Sequence, residues 1–316
     1  MKLQTKIPIT PSSNPFGYED QLLLLGSCFS ENIREKLSYY KFQSFVNPFG
    51  IIFHPYPITN LIQRVVDKQE FEESDIFYGN ERWQSFEAHS IVAHSHKEQT
   101  LKQLNKAFKL FQEKLHKTSN IIITLGSAWG YEHKKTNVIV ANCHKIPQKE
   151  FNKVLSSPKQ IVKNLESILL NIAKLNPTCQ VIFTVSPVRH LKDGFVKNTR
   201  SKAHLIAAVH NLVDQYESAL YFPAYELVMD ELRDYRFYDR DMIHPSQEAI
   251  DYIWQRFVNV YASEKAKETL KTVSSIQKGL AHKPFNAASE AYAKQQQAVQ
   301  GQIAELRQTY PHIKFD

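Results

Sequence analysis

Residues 22–25, 121–125, 181–185 and 219–222 are short apolar runs, and amphipathic segments separate them. That alternation predicts an α/β protein, a three-layer α/β/α sandwich built on a parallel sheet. Two further observations point the same way. The clearest runs are continuous rather than alternating in polarity, as strands covered on both faces must be. They also stop at turn residues, Gly26, Gly126 and Pro187 among them.

Taken in order, Leu22 to Leu25 forms the first strand. Residues 31–42 form the first helix, with Ile33, Leu37 and Tyr40 at helical spacing and Ser30 as its N-cap. Phe45 and Val46 open a second strand that closes on Asn47-Pro48-Phe49-Gly50. Residues 57–66 read as a helix, and 67–96 as an irregular stretch rich in aromatic residues and histidine. Leu101, Leu104, Phe108, Phe111 and Leu115 share one helical face before the strand at 121–125. Ile161, Leu165, Ile168, Leu169 and Ile172 mark the next helix, and residues 181–185 the next strand. A helix through Leu205, Val209 and Leu212 leads to the strand at 219–222. Ile250, Ile253, Trp254, Phe257 and Val258 close the core.

After about residue 262 the composition turns to Lys, Glu, Gln and Ala. Tyr292, Val299, Ile303 and Leu306 leave a thin apolar seam. This divides the chain into a catalytic-type domain, 1–261, and a C-terminal helical extension, 262–316. The extension packs on the core or on a second subunit, and the latter would make a homo-oligomer.

The chain has 316 residues, 42% hydrophobic and 22% charged, with a formal net charge of +7. The basic residues are spread along helices beside Glu and Gln, so nucleic acid is not the expected partner. No apolar run reaches the length of a membrane span and no secretory leader is visible, so no membrane partner is expected. Three cysteines and no C-x-x-C pair fit a reducing cytoplasm and argue against structural zinc. His89, His94 and His96 lack the spacing of a metal site, and no cofactor is expected.

Two short motifs carry the chemistry. Gly26-Ser27-Cys28-Phe29-Ser30 follows the first strand, so Ser27 and Cys28 sit on a strand-to-helix turn. Such a turn exposes a nucleophile beside free N–H groups, which stabilise a thiolate or an oxyanion. The plain alternative is a capping serine and a small buried thiol. Asp241-Met242-Ile243-His244 places a carboxylate three residues before an imidazole, just ahead of the last core helix. Asp241 would orient the ring, and His244 would move the proton. Glycine turns in an open parallel sheet share the rim at the strands' carboxyl ends, where ligands bind.

These segments resemble the GSCFA-domain family. The likeness rests on Gly26-Ser27-Cys28-Phe29-Ser30, Asn47-Pro48-Phe49-Gly50, Thr124-Leu125-Gly126-Ser127-Ala128-Trp129, Ala141-Asn142-Cys143-His144-Lys145 and the run from Ser186-Pro187-Val188-Arg189-His190 to Gly194. It continues through 234–246 and spans most of residues 20–260. That family looks related to the SGNH (GDSL-like) esterases. The resemblance implies a flavodoxin-like sandwich and hydrolysis of an ester or acetyl group, on a small or carbohydrate ester.

Against the SGNH pattern, Cys28 falls where the nucleophilic serine belongs and Ser27 where the aspartate belongs. Cys28 is the preferred nucleophile, with Ser27 next. Gly50 matches the second-block oxyanion donor. Ala128 stands where the third-block asparagine belongs, so Asn142 or the Ser127 hydroxyl would take its place. Trp129 and Arg189 are candidate substrate contacts on the rim, Trp129 with Trp83 as an aromatic platform and Arg189 with His190 for a carboxylate or hydroxyl. Acyl transfer uses the same residues. A ligand-binding member without catalysis, and an interaction protein working through its C-terminal helices, are the other readings.

Overall fold

A computed structural model describes residues 4–315. The chain runs β1 (Gln21–Gly26), α1 (Cys28–Tyr39), β2 (Gln43–Val46) and α2 (Pro55–Val66). A hairpin of β3 (Phe77–Gly79) and β4 (Arg82–Gln84) precedes α3 (Lys97–Lys117) and β5 (Asn120–Leu125). Three outer strands follow, β6 (Trp129–His133), β7 (Val138–Ile139) and β8 (Phe151–Leu155). The core resumes with α4 (Pro158–Leu175), β9 (Gln180–Val185), α5 (Phe195–Val213) and β10 (Ala219–Phe222). The short α6 (Ala224–Glu226) passes into a π-helical turn over Leu227–Glu231. Then come α7 (Gln247–Tyr261), α8 (Glu264–Ala281) and α9 (Glu290–Thr309).

The central sheet has five parallel strands in the order β10-β9-β5-β1-β2. Read from the β2 edge, that is the flavodoxin-like order, and its switch point lies between β1 and β5. The side chains divide by parity. Leu23, Leu25, Ile121, Ile123, Leu125, Val181, Phe183 and Val185 pack against α2, α3, α4 and α5. Leu22, Leu24, Ile122 and Ile182 pack on the other face against α1 and α7. Both faces are dry, which is why these strands read as unbroken apolar runs and why the predicted three-layer sandwich is what forms.

Register brings the strand ends level. Gly26 lies opposite Thr124, and Leu125 opposite Val185. At Gly26 the chain turns so close to β5 that a Cβ would sit 2.1 Å from the Thr124 carbonyl oxygen, and φ is +128°. Only glycine fits both conditions. The first helix begins at Cys28, three residues earlier than the sequence suggests. Ser27, not Ser30, is its N-cap and accepts from the Phe29 N–H. Ser30 is buried and donates instead to the Leu25 carbonyl and to Thr124.

Local signals were harder to read where strands are short. The stretch 67–96 holds the β3–β4 hairpin, whose strands are three residues each and expose one side. The C-terminal seam closes on the chain's own core. Val273, Ile276, Val299, Ile303 and Leu306 are buried in one cluster with Tyr18, Phe42 and Trp254, and Tyr18 packs 5.3 Å from Tyr310. That seam is covered without a second subunit. No helix among the described residues is long and apolar enough to cross a membrane.

Candidate active site

Cys28 is the first residue of α1, at the carboxyl end of β1 and beside the switch point. Its N–H is one of those a helix N-terminus leaves free, whereas the next two are used. Phe29 N–H donates to Ser27 Oγ and Ser30 N–H to the Ser27 carbonyl. Ser27 is 1% exposed and its hydroxyl is spent as the cap. Cys28 is half-buried. Of the two candidates, the thiol is the one presented at the rim. Burial pushes its pKa up, while its own N–H, that of Phe29 and the Lys202 ammonium act in the opposite direction.

The Asp241 turn is built as the spacing suggests. Asp241 Oδ1 accepts from the N–H groups of Ile243 (2.8 Å) and His244 (3.0 Å). Asp241 Oδ2 lies 2.6 Å from His244 Nδ1. Met242 takes a left-handed φ of 58° to allow this. Those hydrogen bonds, the His244 N–H first, hold the Asp241 carboxyl down to about 2. The Arg189 N–H donates to the Ile243 carbonyl and joins the turn to the loop after β9. Both side chains are open to solvent, at 44% for His244 and 45% for Asp241. No hydrogen bond joins His244 to Ser27 or Cys28; the imidazole is held by Asp241 alone.

The ends of β5 and β9 hold a group the sequence did not single out. Lys202, on α5, is 1% exposed. Its Nζ donates to the Gly126 carbonyl at 2.7 Å and the Ser186 carbonyl at 2.6 Å, and so bridges the ends of β5 and β9. His190 is close by, since a Cβ on Gly126 would lie 3.2 Å from its Nε2. That Nε2 is buried without a partner. Burial, with Lys202 and His244 nearby, pushes His190 down to about 4. Burial pushes Lys202 down to about 7, and Cys28 is the neighbour that favours its charge. One signal was available: Asn198, Ser201 and Lys202 occupy the same helical stripe as the buried Leu205, Val209 and Leu212. Polar residues on an apolar stripe need partners.

The other expected contacts sort out as follows. Gly50 N–H donates to the Asn47 carbonyl at 2.7 Å inside its own turn, which leaves it no free donor. Ser127 Oγ faces inward, 3.1 Å from Ser201 Oγ, and accepts from the Trp129 N–H. Asn142 Oδ1 accepts from the His144 N–H in the loop after β7, and no hydrogen bond connects it with the Cys28 turn. Trp129 donates its indole N–H to the Lys197 carbonyl, with Lys153 and Lys197 near its ring. Trp83 belongs to the β3–β4 hairpin, pairs with Tyr78 and carries Lys97. Among the described residues, Arg189 forms no ion pair with an aspartate. Its guanidinium lies 3.8 Å over the Tyr238 ring, with Tyr235 and Phe195 further out. His89 and His94 cap local turns rather than converge.

The GSCFA family pattern matches residues 21–257, three quarters of the chain. The chain belongs to the GSCFA family. A second pattern, the C-terminal domain of GSCFA domain proteins, matches residues 273–316 and covers α9 and the second half of α8. No curated protein matches in sequence. Among solved structures, similarity extends to a carbohydrate esterase family 3 protein from Talaromyces cellulolyticus. It is 8% identical at a TM-score of 0.36, over 81% of this chain and 98% of that one. An acetyl xylan esterase, Est2A, from the rumen bacterium Butyrivibrio proteoclasticus is 10% identical at a TM-score of 0.38, over 81% of this chain and 64% of its own. These are distant similarities of chain path. The GSCFA pattern takes in the Cys28 turn, the Lys202 clamp and the Asp241–His244 turn alike.

Proposed function

We propose that this GSCFA protein is an acyl-ester hydrolase acting through a thioester on Cys28. The observation that carries this reading is the position of Cys28. It is a half-buried thiol on the first residue of a helix, at the switch point of a parallel sheet. An oriented carboxylate–imidazole pair is tied to the same rim through Arg189. Cys28 attacks the acyl carbonyl. The Cys28 N–H, at the positive end of α1, holds the developing oxyanion. Asp241 fixes the ring of His244, whose Nε2 serves the leaving alcohol and the attacking water. Transfer to a second hydroxyl in place of water is the same reaction with another acceptor.

Acetyl esters of carbohydrates are the first substrates to test. Arg189 and the exposed Tyr235 stand beside the His244 turn and suit a ring rich in hydroxyl groups. The burial that raises the Cys28 pKa favours a second reading, a ligand-binding member without turnover.

Hydrolysis of p-nitrophenyl acetate by wild type, Cys28→Ala, Ser27→Ala and His244→Ala separates the two. The esterase reading requires loss of turnover with Cys28→Ala and with His244→Ala, and its survival in Ser27→Ala that folds. Turnover indifferent to the first two changes sinks it.

A further inference from the structure

Beside the His244 turn lies a cavity of about 220 Å³ that the proposed chemistry leaves unused. Arg189 and Arg233 line it, with Tyr235, Tyr238, Val228 and Met229 in its walls. We propose that this cavity binds an oxyanion, a carboxylate or a phosphate, carried on the alcohol side of the ester, and that Arg189 grips it. The inference rests on the esterase reading and narrows its substrate to an anionic ester.

The backbone joins the cavity to the His244 turn from two sides. Arg189 N–H donates to the Ile243 carbonyl at 3.1 Å. Asp239 N–H donates to the His244 carbonyl at 2.8 Å and Ser246 N–H to the Phe237 carbonyl at 2.9 Å, so Tyr238 pairs with Pro245. Arg189 and Tyr238 are each one backbone contact from the turn that carries the imidazole. In the proposed reaction that imidazole serves the leaving alcohol, so the alcohol portion is what reaches the cavity.

Charge and shape select the ligand. The half-buried Arg189 guanidinium lies 3.8 Å over the buried Tyr238 ring, with Tyr235 at 5.4 Å and Phe195 at 6.0 Å. Stacking occupies the face of the group and fixes its plane, and its N–H donors point outward along the edges. Among the described residues, neither the Arg189 nor the Arg233 guanidinium has a hydrogen-bond acceptor or an ion-pair partner. The one carboxylate in the lining is engaged elsewhere. Asp234 Oδ1 accepts from the Arg236 N–H at 2.8 Å and lies 3.1 Å from Arg236 Nε. A planar guanidinium with open edges fits a carboxylate or phosphate through two parallel N–H bonds.

The opposite wall is the π-helical turn, whose Leu232 N–H reaches back to the Leu227 carbonyl at 2.9 Å. It contributes Val228 and Met229, and the Tyr238 hydroxyl is spent on Met229 Sδ at 3.6 Å. Away from the arginines the lining is therefore apolar and aromatic, which suits the carbon skeleton of a ring. A bound water needs roughly 15 Å³ of such space, so the occupant is a molecule and not a lone ion.

Binding is read first, without any ester. Glucuronate, glucose 6-phosphate and glucose share one ring and differ in charge. In NMR titrations of the wild-type protein, at least one of the two anions should bind about tenfold or more tightly than glucose, as expected of a charge-assisted pair. The tighter anion says whether carboxylate or phosphate is the group gripped. Arg189→Gln should abolish the preference, and Arg189→Lys should keep only part of it, because an ammonium lacks the fork. Turnover is read next, on 3-acetoxybenzoate and its methyl ester. The charged ester should show the lower KM, and the ratio of the two KM values should fall to about one in Arg189→Gln. A role confined to stacking on Tyr238 would shift the melting temperature and leave that ratio in place. Should Arg189→Gln not fold, Arg189→Lys and Arg233→Gln carry the test, each lowering the preference by about threefold. Glucose bound as well as both anions, equal KM for the two esters, or a preference that survives the arginine substitutions overturns the inference. The outcomes also separate it from the esterase reading. An Arg189-dependent preference for an anion without ester turnover keeps the anion site and sinks the esterase. Cys28-dependent turnover with no charge preference does the reverse.

Discussion

The two halves of the proposed site are built in opposite ways. The Cys28–Lys202–His190 half lies at the ends of β1, β5 and β9, where Gly26 touches the backbone of β5 and Lys202 ties two carbonyls together. The Asp241–His244 half is one exposed turn held by its own carboxylate. The first half is inseparable from the fold, and the second is a local device. The difference teaches which substitutions should cost stability and which should cost only chemistry. A buried polar group that loses its partner destabilises the whole chain, whereas an exposed pair loses little when water replaces its partner.

Five experiments test this contrast. Cys28→Ala should lower ester turnover by about a thousandfold or more while leaving the melting temperature near wild type, as for removal of a nucleophile. Gly26→Ala strikes the same half through the backbone. With no space for a Cβ and a positive φ, it should cost ~3 kcal/mol or more, read by urea unfolding. On the open half, His244→Gln should cost about a hundredfold in turnover and leave the unfolding midpoint unchanged. An unfolding midpoint that shifts with His244→Gln would erase the distinction between the halves.

Acid offers a finer probe. His190 and His54 are pushed down to about 4 in the folded chain, both chiefly by burial, while the unfolded chain titrates near the ordinary value of 6.5. Between those values the unfolded state binds the extra protons, so the contribution of these two residues to stability must fall as pH drops from about 6.5 to about 4 and level off below. His190→Gln should flatten this slope in thermal melts, and His244→Gln should not. The smallest effect is expected at the cap. Ser27→Ala removes the acceptor for Phe29 N–H and should cost about 1 kcal/mol, with turnover retained. Turnover lost in a folded Ser27→Ala protein would move the nucleophile from sulfur to oxygen.

The legible parts of the molecule were those with strong local signals. The runs at 121–125 and 181–185 became β5 and β9 because both faces of each strand are buried. Asp241 and His244 meet because three residues on a tight turn bring a carboxylate onto a ring nitrogen whatever lies around them. The β3–β4 hairpin escaped notice because three-residue strands with one exposed side leave almost no pattern. The helix start was misplaced by three residues because Ser27 and Ser30 are equally good caps in sequence. Only the approach to β5 draws Ser30 inward to Thr124.

Sequence alone determined the layered α/β architecture, the rim on which the turns gather and the oriented imidazole, since each depends on residues close together in the chain. Tertiary structure alone decided that the Ser27 hydroxyl and the Gly50 N–H are already occupied, and that a lysine on α5 bridges the ends of β5 and β9. Gly126, Ser186 and Lys202 lie far apart in the chain, and no local pattern encodes a contact made by strand register. The sheet brings them together because burying its apolar faces aligns the ends of β1, β5 and β9, and the polar groups at those ends must then satisfy one another out of reach of water.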